Sequence, residues 1–439
     1  MSQKGYIMTL PTLHFRSWKQ VKFLTSLLTA AVLIFGVGAV FAQEPLPDEP
    51  WSVYLYNDVE IRQFNADGPS ATYNPQTGNS LFASMIAVSP DESRIATCTT
   101  APSFDPNGLS VATLTVHDLT AQSRLFDVAL GEAVACEVTR DAFSLDGAQM
   151  AVGLITAWPT APGTPQAEIT WQIHLIDTAT GEIIHTLDSL SAQSGGLDSV
   201  SGGMYLPYIR RVEAGEVIFA LVPWFTHGQP YNDAYRWDLA TNSITEEPMW
   251  GRTFGFGDQI LTADGFEFAY TMLDESQPAA ISDGPVSPMN TVVVQREGGE
   301  PQAVYTNTEE LITEVGYIND GNALAIQLLQ GDERETEPGY PIQQRVRWIM
   351  LTRDGTVTEI VPSFDGGPVD VMAVPDGYLQ FTGIYGVEGV LPSLNVVTSE
   401  GTTNLWTFDP NGTGFNLLYA TPPDLTEVSL PVFAPASAS

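Results

Sequence analysis

Between residues 51 and 433 apolar residues arrive in bursts of strand length, roughly four to eight residues, broken by Asp, Gly, Asn or Pro. Some bursts are nearly continuous, as in EVIFALV (216–222) and ALAIQLL (323–329), the pattern of strands covered on both faces. Others alternate, with Tyr235, Trp237 and Leu239 set against Arg236 and Asp238, which suits a strand with one wetter side. Apolar residues at helical spacing are scarce. The pattern predicts an all-β chain.

The turns between the bursts recur. One set reads VHDLTAQ at Asp118, LIDTATG at Asp177, RWDLATN at Asp238, QREGGEP at Glu297, TRDGTVT at Asp354 and FDPNGTG at Asp409. With YLYNDVE at Asp58 upstream, successive members lie 55 to 61 residues apart. A second set falls between them: VSPDESRIA, SLDGAQMAV, VEAGEVIFA, TADGFEFAY, INDGNALAI and VPDGYLQF. These turns use residues that tolerate the backbone angles of tight hairpins. Each unit is therefore two hairpins, or four antiparallel strands, and a fixed period of this length marks an array of one repeated unit. Covered inner strands and wetter outer strands describe a β-propeller; a pair of β-sandwiches would leave the period unexplained.

Seven blades are expected, with six as the alternative. Residues 51–64 read as the outer hairpin of a seventh blade whose inner strands come from the C-terminal segment containing LTEVSLPVF (425–433), so that N- and C-terminal strands pair to close the ring. SEGTTN at Glu400 is a further turn in the last unit. The Asp-Gly hairpins SLDG, TADG and VPDG, with the variant VSPDES, resemble those of the TolB-like and related WD-repeat-like bacterial propellers, whose blades begin with a Ser-Pro-Asp-Gly type of turn. The resemblance covers most of residues 51–433 and implies an extracytoplasmic propeller. The chain has a single Trp-Asp and no Gly-His, so the buried polar network of true WD repeats is not implied.

In such a blade the first and third turns share one end of the propeller, and here they are short. The long insertions (101–109, 157–168, 189–206, 224–233, 274–290, 331–343 and 386–395) would crowd the other end, and lengthened loops on one face of a rigid scaffold commonly carry binding. They hold Trp158, Tyr205, Tyr208, Trp224, Phe225, His227, Tyr231 and Tyr340, with Asp233, Asp274, Asp283, Asp332 and Glu333 nearby. Aromatic platforms beside carboxylates suit a sugar chain or a peptide. The ligand-binding set is accordingly Trp158, Tyr205, Tyr208, Trp224, His227, Tyr231 and Tyr340.

The first 42 residues read as an export signal: Arg16, Lys19 and Lys22 precede an uncharged apolar run from Phe23 to Val40 that closes on small residues at Val40 and Ala42. Residues 43–50 form an acidic, proline-rich linker, 51–433 the propeller and 434–439 a flexible tail. Secretion or a periplasmic location follows, with no membrane span after cleavage; the alternative is retention of the leader as an anchor. The leader carries all three lysines, Arg16 and no acid, so its loss takes the formal charge from −35 to about −39. A lysine-free, strongly acidic surface repels phosphate backbones and anionic lipids. Nucleic acid is not an expected partner; an extracytoplasmic protein or glycan is. Cys98 and Cys136 are the only cysteines, and outside the cell they are expected to pair.

Catalytic signatures are few. There is no G-x-S-x-G elbow, which excludes a prolyl-oligopeptidase type of hydrolase domain in these residues, and no H-E-x-x-H or paired-cysteine zinc spacing. His117, His174 and His185 fall on repeat strands. No cofactor is expected; FDPNG (104–108) and FDPNGTG (408–414) are Asp-rich enough to admit calcium but lack the alternating carboxylates of an EF-hand loop. The expectation is a non-enzymatic propeller that binds a protein or glycan through its loop-rich face. The alternative is a propeller hydrolase or lyase using carboxylates, and a metal if one is bound, at the channel mouth. A catalytic propeller would gather carboxylates and His227 at one depth of the channel.

Overall fold

The structure, a computed structural model, describes residues 51–436 apart from 58–59, 66–67, 75–85, 101–109, 157–170, 190–191, 193–204, 224–232, 254–256, 277–288, 331–344, 366–368, 383–390 and 410–413. The chain enters with β1 (Val53–Tyr56), β2 (Ile61–Asn65) and β3 (Gly68–Tyr73), three strands of blade 1. Blade 2 is β4 (Ile86–Val88), β5 (Arg94–Thr99), β6 (Ser110–Asp118) and β7 (Ser123–Ala133). Blade 3 is β8 (Ala135–Glu137), β9 (Gln149–Ile155), β10 (Trp171–Asp177) and β11 (Ile183–Asp188). Blade 4 follows with β12 (Tyr205–Glu213), β13 (Glu216–Pro223), β14 (Asp233–Asp238) and β15 (Ser243–Glu246), then a single helical turn, α1 (Pro248–Arg252). Blade 5 is β16 (Asp258–Thr262), β17 (Gly265–Met272), β18 (Thr291–Arg296) and β19 (Gln302–Thr306). Blade 6 is β20 (Leu311–Ile318), β21 (Ala323–Gln330), β22 (Arg345–Thr352) and β23 (Val357–Asp365). Blade 7 is β24 (Val369–Val374), β25 (Gly377–Thr382), β26 (Ser393–Thr398) and β27 (Gly401–Thr407), and the last strand, β28 (Asn416–Ala420), returns to pair with β1. Every sheet is antiparallel and four-stranded, and the whole is a seven-bladed propeller, as the repeat predicts.

The core is divided in the same way. Seven buried apolar clusters lie one to each blade interface, from the Tyr54–Ile61–Ile95 group between blades 1 and 2 to the Leu379–Phe381–Val53–Phe64 group between blades 7 and 1. This explains the continuous apolar runs, since the middle strands of a blade are packed on both sides. Gly153 on β9 shows how closely blades approach: a Cβ there would collide with the Pro207 carbonyl of blade 4. Cys98 on β5 and Cys136 on β8 are joined by a disulfide with their Cα atoms 5.9 Å apart, stapling blade 2 to blade 3.

Three details depart from expectation. The strand that closes blade 1 is Asn416–Ala420, and it is one strand, because β1, β2 and β3 supply the other three; residues 425–433 form no strand. Asp58 lies outside the described residues, in the stretch of sequence that joins β1 to β2, whereas most of its supposed relatives join the third and fourth strands of a blade. In blade 7 the third turn is the one at Glu400, and Asp409 belongs to the passage from β27 to β28. The near-constant spacing arose because blades 1 and 7 carry similar turn residues one position out of phase.

Candidate active site

Seven inner strands surround the propeller axis: β28, β4, β8, β12, β16, β20 and β24. The residue that opens each inner hairpin is fixed by pairing, as in Ser144 with Gln149, Thr262 with Gly265, Ile318 with Ala323 and Val374 with Gly377. Four residues before each of these stand Arg140, Asp258, Glu314 and Asp370. Blades 5, 6 and 7 therefore present a carboxylate at the same height of the channel wall, and blade 3 adds Arg140 from the turn that follows β8.

The side chains meet. Arg140 Nη2 lies 3.5 Å from Asp258 Oδ1, an ion pair that reaches from blade 3 to blade 5 past the inner strand of blade 4, and Arg140 Nε lies 3.7 Å from Asp141. Asp258 is fixed from the other side, since its Oδ2 accepts the Tyr317 N–H of blade 6 at 3.0 Å and its Oδ1 the Gln259 N–H at 2.9 Å. On blade 4 the pairing register shifts between Ile209 and Arg211. Such a bulge re-aims the extra residue, here Arg210, which is buried and donates to Gln259 Oε1 at 2.8 Å and Thr253 Oγ1 at 3.1 Å.

The electrostatics follow from this crowding. Glu314 is open to the channel water yet walled by protein on every side, and its carboxyl is pushed up to about 7, first by desolvation and then by the charges of Asp370 and Asp258, with Arg140 acting the other way. Asp370 is raised by burial. The Arg140 guanidinium is held more firmly charged, chiefly by Asp141 and against its own burial. Burial lowers Arg210. Tyr208, on β12, is pushed up to about 12 by desolvation and then by Glu137. Two acids whose environments let one keep its proton while its neighbour is ionised are the usual preparation for acid–base chemistry.

Of the residues expected to bind ligand, Trp158, Trp224, His227, Tyr231 and Tyr340 lie outside the described residues, as do Asp283, Asp332 and Glu333. Tyr205 and Tyr208 are on the inner strand of blade 4, and Tyr208 feels the charges of Arg140 and Asp141. Asp274 is taken up locally, accepting from Ser276 N–H at 2.9 Å and Oγ at 2.6 Å. Among the described residues no group of His, Cys, Asp and Glu is arranged to hold a metal ion. Two of the strand histidines have structural surroundings: His174 sits between Thr186 Oγ1 at 2.9 Å and Leu130 O at 3.1 Å, and His117 packs on the Tyr73 ring. The channel set was absent from the sequence reading, although its signal is present: a charged residue interrupting an inner strand, as in LITEVGYI and VDVMAV.

No protein-family model and no curated protein matches the chain. Solved structures do. Acylaminoacyl peptidase of Pyrococcus horikoshii is similar at 13% identity over 83% of this chain and 52% of its own, with a TM-score of 0.47. The propeller domain of the Trilobed protease of Pyrococcus furiosus is similar at 14% identity over 83% of this chain and 98% of that domain, with a TM-score of 0.46. A structure described as TolB of Agrobacterium tumefaciens matches at 15% identity over 77% of this chain and 99% of its own, with a TM-score of 0.35. The chain spans about half the length of the acylaminoacyl peptidase. At these identities the likeness is one of fold. The expectation of a non-enzymatic binding propeller is corrected here in favour of the hydrolase alternative: the matched structures include peptidases; of the arrangement expected for that alternative, carboxylates do gather in the channel, while His227 lies outside the described residues.

Proposed function

We propose that the protein is an exported propeller hydrolase that cleaves glycosidic bonds by acid–base catalysis in its channel. One observation carries the reading: Glu314 holds its proton near neutrality beside Asp370 at the same height of the wall. Cleavage of a glycosidic bond needs one carboxylic acid to protonate the departing oxygen and one carboxylate to take a proton from the attacking water. Glu314 is suited to the first task and Asp370 to the second. Desolvation and then the charge of Asp370 raise Glu314, and burial raises Asp370 as well. Arg140 and Asp258 set the field around the pair and reach across the channel as a fixed bar. The export signal and the acidic, lysine-free surface support work outside the cytoplasm on a substrate that is not a polyanion. The Asp-Gly inner turns support kinship with TolB-like propellers.

The test uses end-labelled oligosaccharides of chitin, xylan, arabinan and starch with residues 43–439. Glu314→Gln and Asp370→Asn are each expected to lower turnover by about 10²- to 10⁴-fold while the melting temperature stays near that of the parent. The rate should also fall as the pH rises through about 7, where Glu314 gives up its proton. Full activity in Glu314→Gln, or no cleavage of any of these glycans, would sink the reading.

A further inference from the structure

Beyond Ala420 the chain leaves the sheet and becomes a strap across the short-turn end of the propeller. Thr421 still belongs to blade 1, where its N–H donates to Ser52 O at 2.9 Å and its Oγ1 accepts the Ser52 N–H at 2.7 Å; its hydroxyl also donates to Glu92 in the inner turn of blade 2. Only four residues later Leu425 is buried against Gly321, in the inner turn of blade 6. Blade 7 stands between blades 1 and 6. Four peptide units reach about 14 Å at most, too little to pass around the outside of a blade, so residues 421–425 run over the inner, channel-side ends of the blades.

The far side is anchored heavily. Val428 O accepts the Ala263 N–H at 3.1 Å and Ser429 Oγ reaches Asp264 at 3.3 Å, both in the inner turn of blade 5. Arg296 and Arg353 donate to the carbonyls of Leu430 and Pro431, and Gln302 Nε2 to that of Phe433 at 2.8 Å. Phe433, 1% exposed, enters the core between blades 5 and 6 beneath the Arg353 guanidinium, 4.2 Å from its ring. Ala434 and Ala436 then donate to Arg353 O and Val304 O, each at 2.7 Å. A strap with this many fixed points on blades 5 and 6 is part of the fold.

We propose that this strap closes the short-turn end of the channel, leaving Arg140, Asp258, Glu314 and Asp370 in a blind well that opens only at the opposite end, so that the protein removes short pieces from the free end of a linear glycan. The proposal rests on the glycosidase reading. The acids stand four residues from the inner turns, roughly 13 Å along a strand, and this depth limits what can pass beyond them to a short oligosaccharide. A chain threaded through an open channel would instead be cut at interior bonds.

Two measurements on residues 43–439 test it together. Hydrogen exchange at the amides of Ala263, Ala434 and Ala436 reports the seating of the strap without reference to activity, and product analysis on the end-labelled glycans named above reports the position of the cut. Protected amides with release from chain ends alone is the expected result. A chain ended after Pro422, or Leu425→Ala with Leu430→Ala where that truncation fails to fold, should speed exchange at Ala263 by tenfold or more and admit interior cuts. Unprotected amides in the parent chain would overturn the proposal whatever the activity. Protected amides with interior cuts dependent on Glu314 would overturn chain-end action and leave the glycosidase standing. No cleavage of any of the glycans would remove the glycosidase reading, and this proposal with it.

Discussion

Blades 5 and 6 each contribute to two groups of charges that are built from the same residue types and behave in opposite ways. The first is shut inside their interface. Glu267 takes Arg353 on one oxygen at 2.7 Å and Arg296 on the other at 3.0 Å, and Arg353 spends its remaining donors on Gly321 O at 2.8 Å and on the strap. The Arg353 and Glu267 side chains are 5% and 3% exposed. The second group lines the channel, where Arg140, 44% exposed, faces Asp141, Asp258 and Glu314 with no ion pair closer than 3.5 Å, and Asp370 adds its charge beside Glu314. Inside the interface every charge is answered, and Glu267 and Arg353 are sealed from water while Arg296 keeps its outer side in it, so the group can only hold the blades together. In the channel acids outnumber bases and water is at hand, so one acid keeps a proton it can give away. Saturation of the partners, more than the kinds of residue, separates a structural cluster from a reactive one.

The contrast can be broken most forcefully at the interface. Glu267→Gln leaves the buried Arg353 facing a neutral amide and should cost about 3–5 kcal/mol, read as a fall in the denaturation midpoint; a loss below about 1 kcal/mol would remove the distinction. Glu314→Gln in the wet channel should cost less than about 1 kcal/mol in the same assay. Reduction of the Cys98–Cys136 disulfide, which closes a separation of 38 residues between blades 2 and 3, should cost about 2–4 kcal/mol and leave the spacing of those two mutational effects unchanged.

A finer test uses pH. The folded state raises Glu314 above an ordinary carboxyl, so it favours the protonated form. That contribution is fully present below the ordinary carboxyl range near 4.5 and is lost as the pH climbs through about 7. Between pH 5 and 8 the melting temperature of the parent should therefore decline by roughly a few degrees more than that of Glu314→Gln. His117 works in the reverse sense. Burial and then Arg124 lower it to about 4, so the stability it contributes is present above 6.5 and disappears as the pH falls toward 4. A His117→Asn variant should flatten that acid limb and leave the Glu314 limb untouched. The smallest effect belongs to the surface pair Arg62 and Glu60, both partly exposed; Arg62→Ala should shift stability by less than about 1 kcal/mol, and by less still in high salt.

The fold was legible because its signals are local. An Asp-Gly turn and the two apolar runs beside it specify one hairpin wherever they occur, and TADG (262–265) and VPDG (374–377) form the inner turns they predict. Ring closure was legible in outline and wrong in detail. LTEVSLPVF looks like a strand because Leu425, Leu430 and Phe433 are apolar, but each fills a gap at the turn end or between blades, and the carbonyls of Leu430, Pro431 and Phe433 go to side chains of blades 5 and 6. NLLYA, the true closing strand, is short and follows a turn of the last unit, so nothing nearby marks it as the partner of β1. The channel set was hidden for a different reason. Arg140, Asp258, Glu314 and Asp370 are scattered over four blades, and each alone reads as one charged residue on a strand or, for Arg140, in a turn. The common height of the three acids appears only when the pairing registers are aligned on the inner turns.

The join between β28 and β1 also bears on the history of each molecule as it is made. Blade 1 holds three strands from the start of the propeller, and its fourth is supplied some 350 residues later, so a nascent chain keeps an unpaired edge on β1 until the other six blades have emerged. Such an edge is a template for pairing with another molecule. A translation product that ends before Asn416 would have six finished blades and still no ring, and it should pair with its like or be degraded. Completion of the ring is thus a check on chain length, passed only by molecules that carry their final strand.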